Sequence, residues 1–214
     1  MKIIIATSNE DKVREIKEIC ANISFTFITL KKWASENKIV LPEIVEDGKT
    51  FEDNSLIKAK AAFELTGLPS LADDSGLVIS ELNGEPGLFS ARYAVNDKNG
   101  INLTQQEIYK RNREKVIKKM EGVAKRDAHF ICSATLVLSS ERILKSTGKC
   151  FGKISIQNSS EDGFGYDPIF LFGENGRLFS KITLKEKNQI SHRGIALRNI
   201  FESLHLVNLY DKNQ

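Results

Sequence analysis

The chain opens on a short unbroken apolar run, Lys2 to Ala6 (KIIIA), which predicts a buried strand. Polar TSNEDK follows, after which Val13, Ile16 and Ile19 recur at helical spacing, so the opening reads as strand, loop and helix. Phe25 to Leu30 (FTFITL) is aromatic and β-branched and predicts a second strand. Thr50 with Asp53 forms a capping box for a helix over Phe51 to Thr66, which Gly67 and Pro69 close. The stretch PSLADDSGLVISEL reads as two short strand pieces interrupted by ADDSG, and NGEPG reads as a turn. Thr104 and Glu107 cap a basic helix running to about Met120, with charges on most faces, which predicts a solvated helix. Ala128 to Leu138 and Arg142 to Phe151 read as an antiparallel hairpin. A Gly-rich loop, EDGFGYDP, leads to the strand IFLF, and Ser191 caps a final helix carrying Ile195, Leu197, Ile200 and Leu204. Strands and helices in this order predict an α/β protein with a mixed sheet.

Composition narrows the class without changing it. The 214 residues suffice for a substantial core and favour one domain, with room for two lobes flanking a cleft. Hydrophobic residues at 41% and charged residues at 28% are an ordinary globular balance. A net charge of +3 is too small to imply nucleic-acid binding, yet is compatible with a locally basic site for a phosphate-rich small molecule. Cys20, Cys132 and Cys150 are widely spaced and form no CxxC, which suggests neither zinc nor a disulfide framework and fits a reducing cytoplasm. The apolar run in MKIIIATSNEDK is short for a signal peptide, and no stretch approaches ~18 consecutive apolar residues. The expectation is a cytoplasmic protein that neither enters nor crosses a membrane.

Several clusters could carry chemistry, each with a plainer reading beside it. In Thr7-Ser8-Asn9-Glu10-Asp11-Lys12 a strand end gives way to a helix start, whose free N–H groups and dipole favour anions. Small hydroxyls, an amide and a lysine there suit a triphosphate, although the glycines of a Walker loop are missing; an ordinary N-cap is the plainer reading. Asp73-Asp74-Ser75-Gly76 sits between apolar pieces with no basic neighbour in sequence. Hard carboxylate oxygens suit Mg²⁺ and can take a proton from water, while a polar turn is the plainer reading. Lys58 interrupts the stripe Phe51, Asn54, Lys58, Ala61, Leu65; it either extends to solvent or reaches a phosphate, and Glu46 upstream could join the aspartates at a metal.

Phe164-Gly165-Tyr166-Asp167-Pro168 offers aromatic surfaces for a purine and an Asp for its edge, or simply a Gly-rich turn before a strand. Lys187 with Ser191-His192-Arg193-Gly194 places cations near a helix start, against the dipole preference, which hints at an anion or an electron-rich base edge. His129 and His205 lie in apolar surroundings and read as packed or surface histidines.

Taken together and in this order, TSNEDK, FEDNSLIKA, ADDSGL, PGLFSARYA, FGYDPIF and ISHRG resemble the Ham1-like inosine triphosphate pyrophosphatase family across nearly the whole chain. The resemblance implies an elongated mixed sheet with flanking helices, two lobes around a cleft, and a homodimer. It implies Mg²⁺-dependent hydrolysis of aberrant purine nucleoside triphosphates (ITP, dITP, XTP) to monophosphate and pyrophosphate. Residue by residue, it places the triphosphate on Thr7, Ser8, Asn9, Glu10, Asp11, Lys12 and Lys58, and Mg²⁺ at Glu46 and Asp74. Asp74 is the implied acceptor of the water proton, and Ser75 touches substrate. Phe164, Gly165, Tyr166, Asp167, Lys187, His192 and Arg193 hold base and sugar. Val95 after PGLFSARYA, where glycine is common, and Lys181, at a usually acidic position, depart from the family pattern. The rival readings are a Maf-like pyrophosphatase, whose loop carries arginines where this chain has TSNEDK, and a non-catalytic nucleotide- or RNA-binding module, which carboxylates at ADDSG disfavour.

Overall fold

The structure is a computed structural model that describes residues 1–95, 102–155 and 164–211, the side chains of 206–211 excepted. Glu161 to Gly163 of the predicted Gly-rich loop lie outside the described residues. In chain order the strands are β1 (Lys2–Ile5), β2 (Thr26–Thr29), β3 (Ser70–Ile79), β4 (Asp127–Val137), β5 (Ile143–Ile154), β6 (Phe170–Phe172) and β7 (Arg177–Leu178). The helices are α1 (Glu10–Ile19), α2 (Leu30–Asn37), α3 (Phe51–Thr66), α4 (Gln105–Lys119), α5 (Leu184–Ile190) and α6 (His192–Asp211). The strands form one 7-stranded mixed sheet in the order β2-β1-β3-β4-β5-β6-β7. The chain separates into two compact units: residues 1–74, 132–148 and 188–214 form the first, and residues 75–131 and 149–187 the second.

The first unit follows from the apolar run at the start. Strand β1 pairs in parallel with both β2 and β3, so it is covered on both faces and needs apolar residues throughout. Ile3 and Ile5 pack with Val13 and Ile16 of α1 and with Leu197, Ile200 and Leu204 of α6. Ile4 and Ala6 turn the other way, onto Leu30 of α2 and Ala59 and Ala62 of α3. The period-2 alternation of one strand thus builds three layers.

Several elements differ from the sequence reading for identifiable reasons. Strand β2 stops at Thr29, because Thr29 instead caps α2, its hydroxyl accepting from Lys32 N at 3.2 Å. Strand β3 runs unbroken through Asp73 and Asp74, since cations from other elements compensate the acids. The capping box at Thr50 and Asp53 and the left-handed Gly67 that ends α3 are as expected. The β4–β5 hairpin is also present: Leu138 N to Arg142 O, Ser133 Oγ to Thr147 Oγ1 and Ile154 N to Arg126 O all fit one antiparallel register.

The second unit has an aromatic core, with Phe130 and Phe170 ring centroids 4.5 Å apart and Phe170 and Phe179 5.0 Å apart. Strands β5, β6 and β7 pair antiparallel within it. Helix α4 is not the solvated helix its charges suggest: Tyr109, Asn112, Arg113 and Val116, an i, i+3, i+4, i+7 stripe, are buried. Two of those four are polar, which hid the stripe from a hydrophobic reading.

Candidate functional site

In the first unit, the loop after β1 ends on Asn9, whose side chain accepts from Asp11 N at 3.0 Å and Lys12 N at 3.1 Å. Thr7 Oγ1 in turn accepts from Asn9 N at 3.2 Å. This capping fixes the start of α1 and aims Lys12 across to β3, where its ammonium lies 3.2 Å from Asp73 Oδ2. The plain N-cap reading is therefore correct as local structure, and Lys12 is an ion-paired rather than a solvated lysine.

Asp73 and Asp74 face opposite ways, as successive strand residues must. Asp73 is 1% exposed and receives Arg193 Nη2 at 3.0 Å and Nε at 3.2 Å, with Cys132 Sγ at 3.7 Å. Arg193 Nη1 also donates to Glu15 of α1. Burial alone would raise the Asp73 carboxyl, but the charges of Arg193, Lys12 and Lys58 outweigh it and hold the group far below the usual carboxylate range. Arg193 is pushed up by the same pairing, against the opposing effect of burial. Asp73 thus has compensating cations that lie nowhere near it in sequence.

On the opposite face Asp74 meets α3. Lys58 Nζ lies 2.6 Å from Glu46 Oε2 and 3.3 Å from Asp74 Oδ1, so two carboxylates converge on one ammonium. Lys58 is 8% exposed, so the reading in which it extends to solvent does not hold. Burial works to lower its affinity for the proton, but Asp74, Glu46 and Asp73 more than reverse that and raise its pKa. Asn54, one turn before Lys58, donates to Asp74 Oδ2 at 3.2 Å and accepts from Gly48 N at 2.9 Å. One amide therefore fixes both the Asp74 carboxylate and the loop carrying Glu46. A Cβ on Gly48 would lie 2.6 Å from Asn54 Oδ1, so the loop approaches α3 at a distance only glycine permits.

His192 and Arg193 open α6, held by Ser191 Oγ, which accepts from Gly194 N at 3.1 Å. A Cβ on Gly148 of β5 would lie 2.1 Å from His192 O, so the helix start presses directly on the strand backbone.

In the second unit, Lys187 is not at a helix start but in the last turn of α5, buried and ion-paired with Asp167. Its ammonium stands 4.9 Å from the Phe164 ring centroid. Gly165 is left-handed at φ 54, which turns the chain between Phe164 and Tyr166. Tyr166 donates its hydroxyl to Ser90 O at 2.9 Å, and burial raises its pKa strongly. Phe164, Asp167 and Lys187 are thereby brought together. Ser75, next to Asp74 on β3, is the first residue of this unit.

Sequence reasoning missed Glu15, whose signal was its helical spacing of three from Lys12, and Arg113, which had none. His129 is half-buried against Phe151, with ring centroids 5.3 Å apart.

The Ham1 family model matches residues 3–203. A dITP/XTP pyrophosphatase of Geobacter sulfurreducens is 39% identical over 198 residues, covering 92% of this chain and 92% of that protein. One from Desulforamulus reducens is 36% identical over 99% of this chain and 100% of that protein. Among solved structures, a HAM1 protein from Coxiella burnetii superposes with a TM-score of 0.79 at 35% identity, covering 96% of this chain and 98% of that one. The Staphylococcus aureus Ham1 protein gives 0.74 at 31% identity, covering 99% and 100%.

Proposed function

This chain belongs to the Ham1 family, and on that premise we propose that it hydrolyses ITP, dITP and XTP to the monophosphate and pyrophosphate, with Asp74 as the group that takes the proton from water. The observation that carries the reading is the convergence of Glu46 and Asp74 on the buried Lys58 ammonium.

Two carboxylates that already seat a positive charge also fit a Mg²⁺ ion, which takes one or two carboxylates and fills its remaining positions with water and substrate phosphates. Glu46 and Asp74 would hold it, and when bound it would neutralise phosphate charge. Asp73 is left out of this set, because it faces the opposite side of β3, where Arg193 and Lys12 hold its Oδ2.

The chain's own groups supply the rest. Asn54 holds Asp74 in one orientation, so the carboxylate needs no rearrangement to accept a proton. Water attacks the α-phosphorus, its oxygen forms the new P–O bond, the bond to the bridging oxygen breaks, and pyrophosphate leaves with that electron pair. Lys58 and Lys12, with Thr7, Ser8, Asn9, Glu10 and Asp11 at the start of α1, are assigned to the triphosphate. Ser75 touches substrate in this reading. Phe164, Gly165, Tyr166, Asp167, Lys187 and His192 are assigned to base and sugar. Arg193 carries the same assignment, and within the first unit its guanidinium is held by Asp73 and Glu15. A homodimer and a cytoplasmic setting belong to the same reading; no described helix is long and apolar enough to cross a membrane.

Hydrolysis of ITP in ¹⁸O-labelled water tests the bond assignment. Attack at the α-phosphorus places the label in IMP; label found in pyrophosphate or orthophosphate instead would refute it.

A further inference from the structure

Helix α4 carries a buried polar pair for which the reaction gives no reason. Asn112 and Arg113 are 2% and 0% exposed, on a helix whose other residues are mostly charged. Burying a guanidinium is costly unless hydrogen bonds compensate it. Each of the pair bonds to the main chain of a different loop of the second unit.

Asn112 Nδ2 donates to Ser90 O at 3.2 Å and Ala91 O at 3.1 Å, and its Oδ1 accepts from Ala94 N at 2.7 Å. Lys115, three residues on, donates to Tyr93 O at 2.6 Å. These contacts fix the SARYA segment. Arg113 Nη1 donates to Gly165 O at 3.0 Å, in the turn that separates Phe164 from Tyr166. One turn earlier, the Tyr109 ring meets Phe164 edge-on, with centroids 5.7 Å apart and planes at 63°. The two loops are also tied directly, through Tyr166 Oη and Ser90 O.

Gly165 is where this restraint matters. With φ at 54 and nothing within 4 Å of a Cβ, the turn is shaped by backbone conformation and not by crowding. Glycine has the widest conformational freedom of any residue, so the turn needs an outside hold to present Phe164 and Asp167 in one pose. A charged donor on the Gly165 carbonyl, away from water, orients that peptide plane.

We propose that Arg113 and Tyr109 are positioning residues for base selectivity: Arg113 fixes the Gly165 peptide and Tyr109 fixes the Phe164 ring, so that Phe164 and Asp167 meet a purine in one geometry. This rests on the assignment of Phe164 to Asp167 to the base. Both act through the turn they hold, Arg113 at the Gly165 carbonyl and Tyr109 at the Phe164 ring.

The test compares wild type with Arg113→Met, Arg113→Lys and Tyr109→Leu in three measurements: IMP affinity by calorimetry, inhibition by inorganic tripolyphosphate, and kcat and KM for ITP and GTP. Loss of a charged hydrogen bond predicts about tenfold weaker IMP binding and about tenfold higher KM for ITP in Arg113→Met. The ITP to GTP ratio of kcat/KM falls several-fold, while kcat and tripolyphosphate inhibition stay within about twofold. Arg113→Lys, which keeps a cationic donor, recovers part of the loss. Unchanged IMP affinity in Arg113→Met overturns the inference, as does an equal loss of tripolyphosphate inhibition, which would mark a general structural defect. Should Arg113→Met fail to fold, Tyr109→Leu carries the same split and decides. Wild type that neither binds IMP nor cleaves ITP would sink the base assignment itself; wild type that does both, with variants unchanged, would sink only the role of α4.

Discussion

Asp73 and Asp74 are neighbours on β3, yet Asp73 bonds to Arg193 of α6 and Lys12 of α1 while Asp74 bonds to Lys58 and Asn54 of α3. Strand alternation therefore separates two tasks within one dipeptide. Asp73 neutralises a buried cationic centre, and Asp74 faces the cluster proposed to carry the chemistry.

Replacing Asp74 with Asn should lower kcat by about 10²–10⁴, the range a positioned general base contributes. The Asn54 hydrogen bond can persist and the side chain is only partly buried, so thermal unfolding should shift by no more than a few degrees. Steady-state pyrophosphate release and a melting curve check both; turnover within tenfold of wild type would remove Asp74 from its role.

Asp73→Asn should do the reverse, destabilising the first unit by about 3 kcal/mol, because it leaves buried cations short of a partner. The pH dependence follows from its lowered pKa. The carboxylate's contribution is complete above the unfolded value of about 3.9 and is lost as pH falls toward the much lower folded value. The stability gap between wild type and Asp73→Asn should be constant from about pH 8 to 5 and narrow below about pH 4. Urea titrations across that range would read it, and a gap that already closes by pH 6 would contradict the pairing.

Asn54→Ala should reduce kcat about tenfold with a smaller effect on stability, since it frees both Asp74 and the loop at Gly48. Gly48→Ala, whose Cβ would lie 2.6 Å from Asn54 Oδ1 and Asp53 Cβ, should produce a similar defect. Equal activity in both variants and wild type would mean that the amide orients nothing of consequence.

The cysteines should be unreactive in the folded state. Burial raises Cys150 to about 11 and Cys20 to about 12, and pushes Cys132 higher still, with Asp73 adding to it. Alkylation by iodoacetamide at pH 8, followed by mass spectrometry, should be slow until urea is added. Rapid modification of any of the three in the native protein would show that its burial is not maintained.

Much of the fold was legible because its signals are local. The KIIIA run, the capping box at Thr50 and the left-handed Gly67 each declare an element within a few residues. Helix α2 was hidden because FITL continues the strand composition straight into the helix, and only the Thr29 cap marks the change. The acids at 73 and 74 were legible as chemistry but not as two opposite tasks, because the cations that separate them come from residues 12, 58 and 193. Arg113 was illegible for the same reason: its acceptor lies 52 residues away, and nothing in QQEIYKRNREK distinguishes a buried arginine from a solvated one.

The measurement that bears most directly on the central claim is pyrophosphate release from ITP, XTP, GTP and ATP at one enzyme concentration, with Mg²⁺ and with EDTA. The account predicts rapid release from ITP and XTP, little from GTP or ATP, and none from any substrate in EDTA. Release from none of the four by folded protein in Mg²⁺, or release from ITP that EDTA leaves unchanged, would contradict it.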